Sequence, residues 1–139
     1  MNFELLDHPA DIGFRARGAT LAELFSNCAH ALVFIVLDPS NIHLTQSVSI
    51  TSEGRDRESL LVNWLNEVLY YTDSRRLALG AFQIASLTDT RIDAVALGEP
   101  RDREKHSPKL DVKAVTYHQL KIFQGAGATA WTAEVYVDV

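Results

Sequence analysis

A chain of 139 residues, 47% hydrophobic and 22% charged, has the size and apolar content of one domain that folds on burial alone. Thirteen basic against eighteen acidic side chains leave a formal charge of −5, which disfavours a face built for nucleic acid. The longest apolar run, Ala31 to Leu37, is far too short for a bilayer, and the lone cysteine, Cys28, excludes an internal disulfide. Met1-Asn2-Phe3-Glu4 shows no basic stretch leading into an apolar core, so a cytoplasmic protein without a secretory leader is expected.

In chain order, Phe3–Leu6 and Ile12–Arg17 predict short strands, the second alternating Ile12, Phe14 and Ala16 against Gly13, Arg15 and Arg17. Between them, Asp7-His8-Pro9-Ala10-Asp11 reads as a polar loop. Thr20 and Glu23 have the spacing of a capping box, and Leu21, Leu24, Cys28 and Leu32 then recur at helical period as far as Leu37. Cys28 lies on that stripe and reads as a core thiol. Gln46–Thr51 predicts a strand, with a turn at Glu53-Gly54. A second helix is expected from about Asp56 to about Arg76, with Leu60, Leu61, Trp64, Leu65, Val68 and Tyr71 on its apolar face.

From Ala81 onward the pattern is β: Ala81–Leu87, Ile92–Leu97, Leu110–Tyr117, Leu120–Phe123 and Thr129–Val137. The mixed run Arg101-Asp102-Arg103-Glu104-Lys105 reads as a solvated loop. Two long helices among about eight strands, most of them consecutive, predict a single α+β domain with mainly antiparallel pairing.

Three places offer chemistry. The Asp7–Asp11 segment holds two carboxylates and the His8 imidazole. Lys113-Ala114-Val115-Thr116-Tyr117-His118 holds an amine, a phenol and a second imidazole. At Asp138-Val139 a side-chain carboxylate adjoins the terminal one. Oxygen donors of this kind suit a hard divalent cation better than zinc. Spacing alone leaves open that Asp138 is merely solvated and that Asp11 caps a turn. No nucleophile elbow or phosphate-binding loop occurs, and Gly125-Ala126-Gly127 reads as a turn.

Asp7-His8-Pro9-Ala10-Asp11-Ile12-Gly13-Phe14 resembles the opening motif of the archease family. The resemblance continues through Thr20-Leu21-Ala22-Glu23-Leu24-Phe25 and Leu60-Leu61-Val62-Asn63-Trp64-Leu65-Asn66-Glu67. It extends to Val112–His118 and to Trp131–Val135 with the terminal Asp138-Val139, so it covers nearly the whole chain. Pro9 departs from the family, which usually has Thr there, and removes a hydroxyl from that segment.

The resemblance implies a protein that is not itself an enzyme. It implies an activator of an RtcB-type RNA ligase, which joins a 2′,3′-cyclic phosphate or 3′-phosphate end to a 5′-hydroxyl in tRNA splicing or RNA repair. Such an activator promotes the Mn²⁺-dependent guanylylation of the ligase by GTP, permits multiple turnover and broadens nucleotide use. RNA would be met only through the ligase. The resemblance also implies a cation site of Asp11, Asp138 and Val139, for Ca²⁺ or alternatively Mg²⁺ or Mn²⁺. Asp7, His8, Lys113, Tyr117 and His118 are the accompanying candidates for support or partner contact. Two rival readings are a small metal-dependent hydrolase using Asp11 and His118, and a chaperone-like binding module.

Overall fold

The computed structural model describes residues 3–8, 11–125, 127 and 129–139, with the side chains of residues 7, 8 and 11 outside the description. The elements are β1 (Phe3–His8), β2 (Asp11–Gly18), α1 (Leu21–Val36), β3 (Gln46–Glu53), α2 (Arg57–Asp73), β4 (Leu77–Leu87), β5 (Arg91–Pro100), β6 (Ala114–Gln124) and β7 (Trp131–Asp138). They form two antiparallel sheets, one ordered β1-β2-β7-β6 and the other β3-β5-β4. Helix α1 packs against β2 and β4, and α2 against β6 and β3, so the helices form the layer between the sheets.

That position explains the composition of α1. Ala31, Leu32, Val33, Ile35 and Val36 are all buried, because the helix has a sheet on two sides. Thr20 caps it by accepting from the Glu23 N–H at 3.1 Å. Cys28 is fully buried, and burial drives its thiol pKa well up, consistent with a packed and unreactive sulfur. Helix α2 starts at the Asp56 cap, where Asp56 and Ser59 satisfy each other's backbone N–H groups. It ends at Asp73, short of the expected Arg76. Arg76 takes a positive φ of 56° and turns the chain into β4.

Among the described residues seven strands form rather than the expected eight. The two strands read as Leu110–Tyr117 and Leu120–Phe123 are one strand, β6, and residues 111–113 precede it without strand structure. Its register against β7 slips between Thr116 and Lys121, and Gln119 there has a φ of 54°. Four residues of β6 thus stand opposite Val135 alone, and this bulge is what looked like a break between two strands. None of the described helices is long and apolar enough to cross a membrane.

Trp64 is the largest side chain with no exposure, and its indole N–H donates to the Phe25 carbonyl at 3.0 Å. Its ring also meets Phe82 edge-on at 6.1 Å, so it joins α2 to α1 and to β4 at once. Trp64→Ala is expected to destabilise the fold by roughly 3–5 kcal/mol in chemical denaturation. A loss below about 1 kcal/mol, the level of a surface change, would contradict this packing role.

Candidate functional site

The candidate residues gather at one end of the four-stranded sheet. His8 pairs with Asp11, Asp7 with Ile12, Ile12 with Val137, Val115 with Val137, and Ala114 with Asp138. One step beyond the Ile12–Val137 pair stand Asp11 on β2 and Asp138 on β7, neighbours in backbone although nearly the whole chain separates them. Asp7, His8 and Asp11 are therefore strand residues, a correction to the five-residue loop read from sequence. Strand pairing runs up to the His8–Asp11 pair, so only residues 9 and 10 join the strands. The Pro9 departure lies outside the described residues.

Side chains on β7 alternate. Val135 and Val137 point into the core, Asp138 is exposed on the opposite face, and Val139 beyond the strand is exposed as well. The Asp138 carbonyl accepts from the Lys113 N–H at 2.7 Å, which ties the approach to β6 against the chain end. With that carbonyl engaged, the Asp138 carboxylate and the oxygens of Val139 are the donors that face outward. Among the described residues no cluster of three or more His, Cys, Asp or Glu side chains forms a metal site, and the Asp11 side chain lies outside that set.

The β6 bulge lies on the same face. Tyr117 is exposed there, and the His118 ring stacks edge-on against Tyr136 at 6.2 Å. Tyr136 in turn lies over Gly13. A Cβ on Gly13 would come within 2.6 Å of the Tyr136 ring and 2.7 Å of the Val135 carbonyl oxygen, so the position admits only glycine without movement. Asn66 of α2 braces the base of the bulge, accepting from the Val115 N–H at 2.9 Å and donating to its carbonyl at 3.2 Å. Lys113, Tyr117 and His118 thus share one sheet end with Asp138 and Val139. Whether Asp11 and His118 meet lies outside the described side chains.

Arg15 and Arg17 form no free basic patch: Arg15 pairs with Glu4 and Glu134, and Arg17 with Glu4. The run from Arg101 to Lys105 is no plain solvated loop either. Lys105 donates to Glu99 Oε1 at 2.8 Å, and the His43 N–H donates to Oε2 at 2.9 Å. The buried His106 completes the cluster: its Nδ1 accepts from the Asp102 N–H at 3.0 Å, so its proton sits on Nε2 and points to Glu99 Oε2 at 2.8 Å. This cluster anchors the loop that leads to Lys113. The signal missed in the sequence was Glu99, an acid at the end of a strand whose neighbours Ile92, Ala94, Ala96 and Gly98 are buried, followed by Lys105 and His106.

The model of the Archease protein family matches residues 3–139. Protein archease of Methanosarcina mazei is 36% identical over 99% of this chain and 95% of its own length. The Pyrococcus furiosus protein of that name is 38% identical over 99% and 98%, and the Sulfolobus acidocaldarius protein 39% over 90% and 91%. The solution structure of Methanobacterium thermoautotrophicum protein 1598 is similar at a TM-score of 0.76, with 35% identity and 99% of each chain covered.

The donors around Glu99, Lys105 first among them, lower its pKa from 4.5 to about 2. A carboxylate depressed in the folded state stabilises above its unfolded pKa and loses that contribution as pH falls from 4.5 towards 2. Glu99→Gln should therefore lower the melting temperature at neutral pH, and the gap to the parent protein should narrow through that acid range. A gap that stays constant from neutral pH to the bottom of the range would refute the role given to the Glu99 charge.

Proposed function

The chain belongs to the archease family, and from that membership we propose that it is an accessory activator of an RtcB-type RNA ligase in tRNA splicing or RNA repair, working in the cytoplasm. In this reading it promotes guanylylation of the ligase, permits multiple turnover and broadens nucleotide use, and it meets RNA only through the ligase. The observation that supports the reading most is the strand pairing at the end of the four-stranded sheet. Residues at opposite ends of the chain meet there, beside an exposed Tyr117 and a bulge, and so form a surface suited to contact with another protein. A net charge of −5 is better suited to a protein partner than to bare RNA backbone.

A divalent cation fits this end of the sheet by donor chemistry. Two carboxylates and an oxygen of Val139 are hard ligands, suited to Ca²⁺ and alternatively to Mg²⁺ or Mn²⁺. Asp11, Asp138 and Val139 would hold it. When bound, the ion would neutralise the paired carboxylates and offer an electrophilic centre to phosphate oxygens. The chain's own groups do the positioning. Lys113 fixes the Asp138 backbone, Gly13 lets Tyr136 lie flat, and Tyr136 carries the His118 ring.

RNA ligation with limiting cognate ligase tests the reading. Added protein should raise turnover, and Asp11→Ala or Asp138→Ala should weaken Ca²⁺ binding by about 10–100-fold and reduce activation in step. Asp138 is exposed, so its variant should keep its circular dichroism spectrum and melting temperature. Unchanged ligation kinetics on adding the parent protein would overturn the activator role. Full calcium affinity in both variants would overturn the cation site alone. Turnover of a phosphate ester by the purified chain, lost in His118→Ala, would favour the hydrolase.

A further inference from the structure

The acidic protein contains a cavity in whose lining the cations outnumber the carboxylates. It lies where α2 ends and the loop after β5 passes, with a volume of about 200 Å³. Arg76, Arg101, Arg103 and Lys109 line it, against the carboxylates of Asp73 and Asp111. Lys109 is occupied elsewhere: its ammonium donates to the Phe34 carbonyl at 3.0 Å and sits over the Phe34 ring. Arg101 donates one guanidinium N–H to the Thr72 carbonyl at 3.0 Å, which satisfies the last turn of α2. Among the described residues, neither Arg76 nor Arg103 is in an ion pair. Burial lowers the Arg101 pKa, and the nearby charges of Arg76 and Arg103 lower it further, with Asp73 opposing them.

The backbone holds these cations together. The Arg101 N–H donates to the Arg76 carbonyl at 2.8 Å, which clamps the two arginine-bearing segments side by side. Arg76 sits in the left-handed region at a φ of 56°, where glycine or asparagine would be less strained. The opposite wall is pinned to α1 by the Lys109 and Leu110 N–H groups, which donate to Val36 and Ile35 at 2.9 and 3.2 Å. A rigid frame thus keeps like charges close without a matching acid for each, and an anion would relieve that repulsion.

We propose that Arg76, Arg101 and Arg103 form a binding site for a phosphoryl group. Guanidinium forks match phosphate oxygens in pairs, whereas a single ammonium would act only as a point charge. The lining contains no Phe, Tyr or Trp, and the ring of its one histidine, His106, is buried and held between Glu99 and the Asp102 N–H, so no ring is offered for a base to stack on and the group recognised is the phosphate itself. The small volume suits a phosphoryl or diphosphoryl group rather than a whole nucleotide. Its source is either a small soluble phosphate or the backbone of an RNA strand. The site does not depend on the ligase reading. A shallower pocket that shares Leu69 and Asp73 with it is lined by Lys113, so it opens towards the sheet end that holds Asp138.

Inorganic pyrophosphate and a short single-stranded RNA, titrated separately into the isotope-labelled full chain, test the site. Either probe should shift the amide resonances of Arg101, Arg103 and Asp111, and added salt should weaken the effect. Arg76→Gln with Arg103→Gln should weaken binding about tenfold or more. Arg101 is left intact in that variant because it also holds α2. Asp111→Asn removes a competing carboxylate and should tighten binding severalfold, which separates a charge effect from damage to the fold. Shifts with pyrophosphate identify a small phosphate as the source, and shifts with RNA alone identify the backbone. The site is overturned if neither probe shifts these amides, or if the double variant, with its melting temperature unchanged, binds as the parent does.

Discussion

The pairing of β2 with β7 is the constraint from which the candidate site follows. It sets Ile12 opposite Val137 and Gly18 opposite Trp131, joining the second element of the chain to the last. Closing so long a loop costs entropy that grows only slowly with its length, and the pairing recovers it through burial. Phe14, Ala16, Ala133 and Val135 have no exposure on the helix side of these strands. On the other face, Arg15 bridges Glu4 and Glu134 across three strands. Partly exposed ion pairs add little, so the apolar side decides stability and the charged side chiefly fixes register. A slip of one residue would turn Phe14 and Val135 outward and would also part residues 11 and 138.

How much of this could be read in the sequence depended on the range of the interactions. Periodicity located both helices and most strands, since amphipathic spacing is a local property. The cap at Thr20, the Trp64 stripe and the burial of Cys28 followed from the same signal. The β6 bulge did not, because it arises from pairing with Val135 across the sheet and no local residue announces it. The end of α2 was missed for a related reason. Arg76 adopts a left-handed turn that its own identity does not favour and that the bond from the Arg101 N–H helps to hold. Of the candidate site, the family resemblance supplied the residues and the strand order supplied their neighbourhood. Glu99 and His106 stayed hidden because a charged stretch looks solvated until its partners are known.

Two partly buried polar arrangements brace the loops around the sheet end, and they differ in kind. Asn66 satisfies both backbone groups of Val115 with a neutral amide, a pairing insensitive to pH. Glu99 gathers a lysine, an imidazole and a backbone N–H around one carboxylate, a pairing that holds only while the carboxylate is ionised. The first fixes β6 against α2, and the second fixes the loop after β5. The segment that carries Lys113 lies between them in the chain, so its position is set from both sides.

The charges on this chain are consequently sorted rather than mixed. At the β2–β7 end the carboxylate of Asp138 faces outward, joined along the backbone by Asp11. At the end of α2 three arginines share one cavity. The arginine cluster has only Asp73 and Asp111 within it as opposite charge, and the backbone bond from the Arg101 N–H to the Arg76 carbonyl helps to hold it together. Folding energy from elsewhere in the core therefore holds the three arginines together at the end of α2, the kind of local conflict that a bound ion resolves. Leu69 and Asp73 of α2 line both this cavity and the shallower pocket that reaches Lys113, and the same helix is anchored through Trp64 to α1 in the layer between the sheets. A cation at one end and a phosphoryl group at the other would then meet a common rigid frame.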